Sequence, residues 1–275
     1  VNVTFGSLFA GIGGLDLGLE RAGWQCRWQV EIDPFCQKIL SKHWPNIPKF
    51  TDVRQIKDDD LEYVDLICGG FPCQPVSVAG KRKGQTDERW LWPEFSKIIR
   101  MVRPRFILVE NVPGLLSVNR GTAMGEILGD LATGGYDAEW NRVSASSLGA
   151  PHLRERIFIV GWNTDAVRCK GIDRQKQAIQ KKDTDTERVY QNVADSRGNR
   201  LALNRQSRNG SEKHIFRERI SSDDGGQFWE VEPDVGRVAD GVSARVDRLR
   251  CLGNAVVPQV AEWVGKQIIR VMEPE

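Results

Sequence analysis

Over the first 161 residues, short apolar runs alternate with stretches of helical spacing, and turn-forming residues separate them. Val3 to Leu8, Gln25 to Val30, Val64 to Cys68, Phe106 to Val109, Tyr136 to Val143 and Arg156 to Gly161 read as strands, being apolar or β-branched and bounded by Gly, Pro or Asp. Helices are expected between them. Gly14 to Ala22 carries leucines at 15, 17 and 19, and Pro34 to His43 follows Asp33, an N-cap residue with proline in the first turn. Pro93 to Arg100 and Gly121 to Leu131 complete the set. Strand–helix alternation of this kind predicts an α/β fold with a parallel sheet covered by helices.

The pattern dissolves after Asn163. Between Asp165 and Asp224 there are fourteen Lys and Arg against ten Asp and Glu, few apolar residues and much Asn, Gln, Ser and Gly. Composition alone fits a surface insertion or a poorly ordered loop. Helical spacing then returns, with Val257, Val260, Val264, Ile268 and Val271 set to pack back on the N-terminal part. Three regions are expected: 1–162, a basic excursion over 163–236, and a returning segment over 237–275.

Composition narrows the class. With 275 residues, 40% of them hydrophobic and nine of them Trp, the chain can bury a large core, which excludes a disordered or fibrous protein. The longest apolar runs, such as Phe106 to Val109 and Ile157 to Trp162, fall far short of a membrane helix. The first residues lack a signal-peptide pattern, so a soluble cytoplasmic protein with no membrane partner is expected. Six cysteines without a C-x-x-C pair argue against a zinc site and against a disulfide scaffold. The formal net charge is +2, so any face for nucleic acid must be local.

Candidate chemistry gathers at predicted strand ends. Phe9-Ala10-Gly11-Ile12-Gly13-Gly14 lies where the first strand becomes the first helix, a place where glycines let a nucleotide approach the backbone; helix packing alone would also explain them. Glu31 follows the second strand and is placed to hold ribose hydroxyls, with Asp52 after a third extended piece. Gly69-Gly70-Phe71-Pro72-Cys73-Gln74-Pro75 follows the next strand. Cysteines are more often small buried hydrophobes, yet Cys73 lies at the carboxyl edge where open α/β sheets bind ligands. Glu110-Asn111-Val112-Pro113 should emerge beside it, which suggests an acid next to a nucleophile.

These motifs, in this order, resemble the DNA cytosine-5 methyltransferase family. Phe9 to Gly14 is similar to its cofactor loop, Pro72-Cys73 to its nucleophile dipeptide and Glu110-Asn111-Val112 to its acidic motif. Arg154-Glu155-Arg156 and Gly253-Asn254-Ala255-Val256 are further matches, so the likeness covers roughly 3–161 and 248–270. It implies a Rossmann-like S-adenosylmethionine-dependent sheet with a small, irregular target-recognition domain. Cys73, Glu110, Arg154 and Arg156 would be catalytic. Phe9, Gly11, Gly13, Gly14, Glu31, Ile32, Asp52 and Asn254 would bind S-adenosylmethionine, with no metal required.

The likeness further implies double-stranded DNA as partner, a monomer, and a setting in which a restriction endonuclease partner can occur. Gly80 to Trp90, with Lys81, Arg82, Lys83 and Arg89, resembles a loop that closes over DNA. Arg197, Arg200, Arg205 and Arg208 are candidates for reading bases. Three departures stand out, one of them a short variable region. His152 replaces the usual Gln ahead of the two arginines, and the arginine-led motif before the last helix is not recognisable. A tRNA cytosine-5 methyltransferase would share the catalytic motifs, but its Cys-Phe-Thr signature is missing from the second half. A nicotinamide-dependent dehydrogenase would leave Pro72-Cys73 and Glu110-Asn111 unexplained.

Overall fold

A computed structural model describes residues 2–72, 90–164, 215–216 and 245–272. Its strands are β1 (Val3–Leu8), β2 (Trp24–Val30), β3 (Lys49–Phe50), β4 (Leu66–Gly69), β5 (Phe106–Asn111), β6 (Tyr136–Ser144) and β7 (Glu155–Asn163). Helices are α1 (Gly14–Arg21), α2 (Pro34–His43), α3 (Trp92–Val102), α4 (Thr122–Thr133), α5 (Arg245–Asn254) and α6 (Pro258–Met272). The strands form one sheet in the order β3-β2-β1-β4-β5-β7-β6. From β1 the chain runs outward to β3, then returns to place β4 on the other side of β1. That reversal creates the crevice where open α/β sheets take their ligands.

Strands β1 to β5 pair in parallel, as the alternation predicts. The last two do not: β7 runs antiparallel to β5, and β6 antiparallel to β7. A parallel crossover needs a dozen or more residues, usually with a helix, whereas the link over 145–154 holds only a 3-10 turn, Ala145–Leu148. The chain therefore folds straight back. One consequence is positional: β7 begins at the edge where β5 ends, with Asn111 opposite Ile157.

Both faces of the sheet are covered, so its central strands are apolar throughout rather than alternating. Ile67, Ile107 and Val109 face Phe95 and Ile98 of α3 and Ile127 of α4. Leu66, Phe106 and Leu108 lie in the opposite layer with Leu15 and Leu19 of α1 and Val260, Val264 and Ile268 of α6. Trp24 Nε1 donates to the Gly265 carbonyl at 3.2 Å, tying β2 to α6. Asp33 caps α2 by accepting from the Phe35 and Cys36 amides, with Pro34 in the first turn. The returning segment holds two helices rather than one, since Pro258 begins α6 and cannot continue α5. Within the basic excursion, Ile215 is buried and its amide donates to Glu139, while Phe216 stacks on Trp263 of α6. No described helix is long and apolar enough to cross a membrane.

Asp16 of α1 is fully buried and accepts from Ser7 Oγ at 3.1 Å and Gln29 Nε2 at 2.7 Å. Burial raises its pKa from 3.8 to about 6, only partly opposed by those hydrogen bonds. The folded state therefore binds this proton more tightly than the unfolded chain does. Its stabilising contribution is complete below about pH 4 and is lost as pH rises through about 6, a swing of roughly 3 kcal/mol. Asp16→Asn keeps the acceptor for Gln29 and can donate to Ser7. Urea denaturation at pH 5 and pH 8 should show a smaller loss of stability in this variant than in wild type. Equal losses would place the titration elsewhere.

Candidate active site

A cavity of about 490 Å³ opens at the carboxyl edge of the sheet, lined from β1 and β2 at one end to β5 and β7 at the other. At the first end the chain leaves β1 through Phe9, whose φ of 53° is rare for a side chain of that size. Its ring stacks on Phe95 with centroids 6.2 Å apart, which fixes the turn. The amide of Gly11 then donates to Glu31 Oε2 at 2.7 Å, and Asp33 N donates to Glu31 Oε1 at 2.7 Å. Glu31 is thus a carboxylate at the end of β2 held in place by two backbone amides. Burial raises its pKa, and the two amides oppose that shift.

Ile32 lines this end and is 59% exposed, a large apolar side chain at the cavity's mouth. Asp52 lines the same end, following β3. Its carboxylate caps the turn Val53–Gln55 and takes a two-pronged ion pair from Arg54, so both oxygens are engaged. That contact holds the Asp52 carboxyl below the usual carboxylate range. Arg54 was not foreseen from the sequence, because its role rests on a side-chain ion pair that no local pattern marks.

At the other end stands Glu110, in the last turn of strand before β5 gives out. It is buried, and Arg156 Nε lies 2.9 Å from its Oε1. Burial raises the Glu110 pKa to about 7, against the opposing pull of Arg156 and Arg154. Arg156 reaches it because β7 runs antiparallel and brings its first residues to this edge. Gly70, which follows β4, makes room: a Cβ there would lie 2.5 Å from Glu110 Oε2. Asn111 Nδ2 donates to the Phe71 carbonyl at 3.4 Å, linking the end of β5 to the loop that lines the cavity through Pro72. Phe71 packs edge-on against Trp90, at 5.2 Å between centroids.

Cys73 follows Pro72 directly but lies outside the described residues, as do Lys81, Arg82, Lys83 and Arg89 and also Arg197, Arg200, Arg205 and Arg208. The cavity collects Phe9, Gly11, Gly14, Glu31, Ile32, Asp52, Glu110, Arg156 and Asn254. Gly13, at φ 84°, serves as the left-handed N-cap of α1 instead of lining it. Gly14 is also a packing residue, since a Cβ would meet the Val256 carbonyl at 2.3 Å. Arg154 stands behind the cavity: its Nη2 donates to the Gly253 carbonyl at 2.8 Å and to that of Ala255, bracing the junction between α5 and α6. Three lining residues, Cys36, Arg250 and Cys251, carry no local sequence signal, because each reaches the cavity through contacts between distant helices.

The profile of the C-5 cytosine-specific DNA methylases matches residues 3–233. The chain belongs to that family. Among curated members it is similar to a Type II methyltransferase of Dactylococcopsis salina, M.DsaV, at 38% identity over 58% of this chain and 46% of the relative. A second, M.Bsp6I of a Bacillus species, is 37% identical over 57% of this chain and 51% of the relative. The chain thus spans about half the length of the curated methylases it matches. A solved prophage-encoded methyltransferase of E. coli superposes with TM-score 0.51 at 29% identity, covering 60% of this chain and 48% of that one. The chain shares with that structure an α/β, Rossmann-like architecture, here a mixed seven-stranded sheet with helices on both faces.

Proposed function

We propose that the chain is a DNA cytosine-5 methyltransferase, moving a methyl group from S-adenosylmethionine to carbon 5 of a cytosine flipped from a specific duplex site. One observation carries this reading: a single cavity joins the Glu31 cradle to the Glu110–Arg156 pair, with the chain running from its wall into Cys73. The first end fits a nucleoside. Glu31 would accept from ribose hydroxyls, Ile32 and Phe9 would flank the adenine, Asp52 would take its amine, and Asn254 would face the reactive end. When bound, S-adenosylmethionine supplies an electrophilic methyl group.

The protein's own residues must make carbon 5 a nucleophile. The Cys73 thiolate adds to carbon 6, and the electron pair displaced from the ring bond moves toward carbon 5 and nitrogen 3. Glu110, whose pKa of about 7 leaves it a proton near neutrality, holds that proton at nitrogen 3. Arg156 orients Glu110 and stabilises charge growing on the carbonyl oxygen. After methylation the carbon 5 proton leaves as a base takes it, and the returning pair expels the Cys73 thiolate. None of this chemistry is reachable inside a stacked duplex, so the base must be extruded at a cost of a few kcal/mol.

A flipped cytosine says nothing about its neighbours, so we assign sequence reading to the segment 163–236, with arginines suited to guanine edges and lysines to phosphates. We further propose a monomer acting on double-stranded DNA beside a restriction endonuclease, in keeping with the Type II names of its relatives. Bisulfite sequencing of DNA from a methylation-free host expressing the chain tests the whole reading. Conversion-resistant cytosines confined to one short motif are expected, and fully converted DNA would refute it.

The cofactor end has its own test. Glu31→Ala removes an acceptor for ribose and leaves the Gly11 and Asp33 amides without their partner. Calorimetry should show S-adenosylhomocysteine binding weakened by about 1–3 kcal/mol, as expected for hydrogen bonds to a charged group. Unchanged affinity would remove Glu31 from the pocket's binding groups.

A further inference from the structure

Two thiols face each other in the wall of the cavity, and the methyl-transfer chemistry uses neither. Cys36, in the first turn of α2, and Cys251, near the end of α5, bring their Sγ atoms to 3.3 Å across 215 residues of chain. Both side chains are buried in protein, and both line the cavity. A disulfide needs about 2.05 Å, so the sulfurs are within roughly 1.3 Å of bonding distance.

Their alignment is held by independent contacts. Arg250, the residue before Cys251, is ion-paired with Asp33, the N-cap of α2, and so fixes α5 on the first turn that carries Cys36. Two residues beyond Cys251, Arg154 holds the Gly253 carbonyl. The pair sits between two polar fasteners. Simple packing would account for one buried thiol, but two in contact across a ligand cavity can also react with each other.

We propose that Cys36 and Cys251 form a reversible disulfide under peroxide, and that this bond draws α5 toward α2, narrows the cavity and lowers its affinity for S-adenosylmethionine. The second half rests on the reading of this cavity as the cofactor site. In the first step one thiolate attacks a peroxide oxygen, breaking the O–O bond and leaving a sulfenic acid and hydroxide. The other thiolate then attacks the sulfenic sulfur and expels a second hydroxide. The protons given up by the two thiols convert both hydroxides to water, so two thiols are oxidised as one hydrogen peroxide is reduced.

The surroundings set the pace. Burial, the neighbouring thiol and the carboxylates of Glu31 and Asp33 push the Cys36 thiol up, so little thiolate is present and sustained rather than trace oxidant is needed. A bound nucleoside would cover the route from the cavity to both sulfurs. Linkage adds a quantitative demand: whatever factor the disulfide costs in cofactor affinity, bound cofactor must cost the disulfide in its own equilibrium. A tenfold effect corresponds to about 30 mV in the midpoint of this two-electron couple.

The test uses the full chain carrying Cys73→Ser and Cys169→Ser, treated with hydrogen peroxide and mapped by non-reducing peptide analysis. A peptide linking Cys36 to Cys251, reversed by dithiothreitol and missing from Cys251→Ser and Cys36→Ser variants, is expected. By calorimetry, S-adenosylhomocysteine should bind about tenfold or more weakly to the oxidised protein and regain its affinity on reduction. In dithiothreitol redox buffers, saturating S-adenosylhomocysteine should raise the midpoint of the Cys36–Cys251 couple by about 30 mV or more. Linkage of another pair, or over-oxidation of either sulfur without linkage, overturns the disulfide. Linkage with unchanged affinity overturns its coupling to the pocket. Reduced protein that fails to bind S-adenosylhomocysteine refutes the cofactor reading, and the peptide map then still decides the disulfide.

Discussion

Replacing Cys73 with alanine is expected to abolish methyl transfer while leaving S-adenosylhomocysteine affinity close to that of wild type. The asymmetry comes from the cavity. Glu31 and Ile32 stand at the β2 end, whereas Pro72, the residue before Cys73, lines the part reached from Gly70 and Glu110. Without a thiolate to add at carbon 6, carbon 5 stays a poor nucleophile. DNA carrying 5-fluorocytosine should trap the wild-type protein covalently, because fluorine cannot leave as a proton does. Residual methylation by Cys73→Ala, or a trapped peptide containing another cysteine, would end the proposed mechanism.

Glu110→Gln should slow single-turnover methylation by about a hundred- to ten-thousand-fold, the usual worth of general acid help, with a much smaller effect on DNA affinity. The amide can still hydrogen-bond to nitrogen 3, but it cannot surrender a proton as charge moves onto the ring. The variant should also change the pH profile. In wild type the Glu110 pKa is raised to about 7, chiefly by burial, so the acid is present below that pH and lost above it. Wild-type kcat/KM should fall as pH rises through about 7, and this limb should disappear in Glu110→Gln. A persistent limb would assign it to another group.

The central sheet was legible in the sequence because buried parallel strands are written as apolar runs that end at turns. Phe106 to Val109 and Val64 to Cys68 need no partner to be recognised. The direction of β7 was not, since nothing in Arg156 to Gly161 records which way its neighbour runs; the short link before it was the available clue. Two-residue β3 is too brief to show a period. The site followed the same division. Phe9, Glu31 and Glu110 could be placed by the rule that ligands gather at strand ends. The bonds from Arg154 to Gly253 and Ala255, the ion pair of Arg250 with Asp33 and the approach of Cys36 to Cys251 all span about a hundred residues or more. No local pattern encodes such contacts.

The packing of α6 against α1 and beneath β1, β4 and β5 also sets a timetable for synthesis. Leu8 closes β1, and Ile268 of α6, in the same apolar layer as Phe5, is made 260 residues later. At about 5–20 residues per second, roughly 13–52 s pass between them on the ribosome. During that interval one whole face of the sheet has α1 but not its second helix. The nascent chain must keep Phe5, Leu66, Phe106 and Leu108 from other partners until nearly the last described turn has been added.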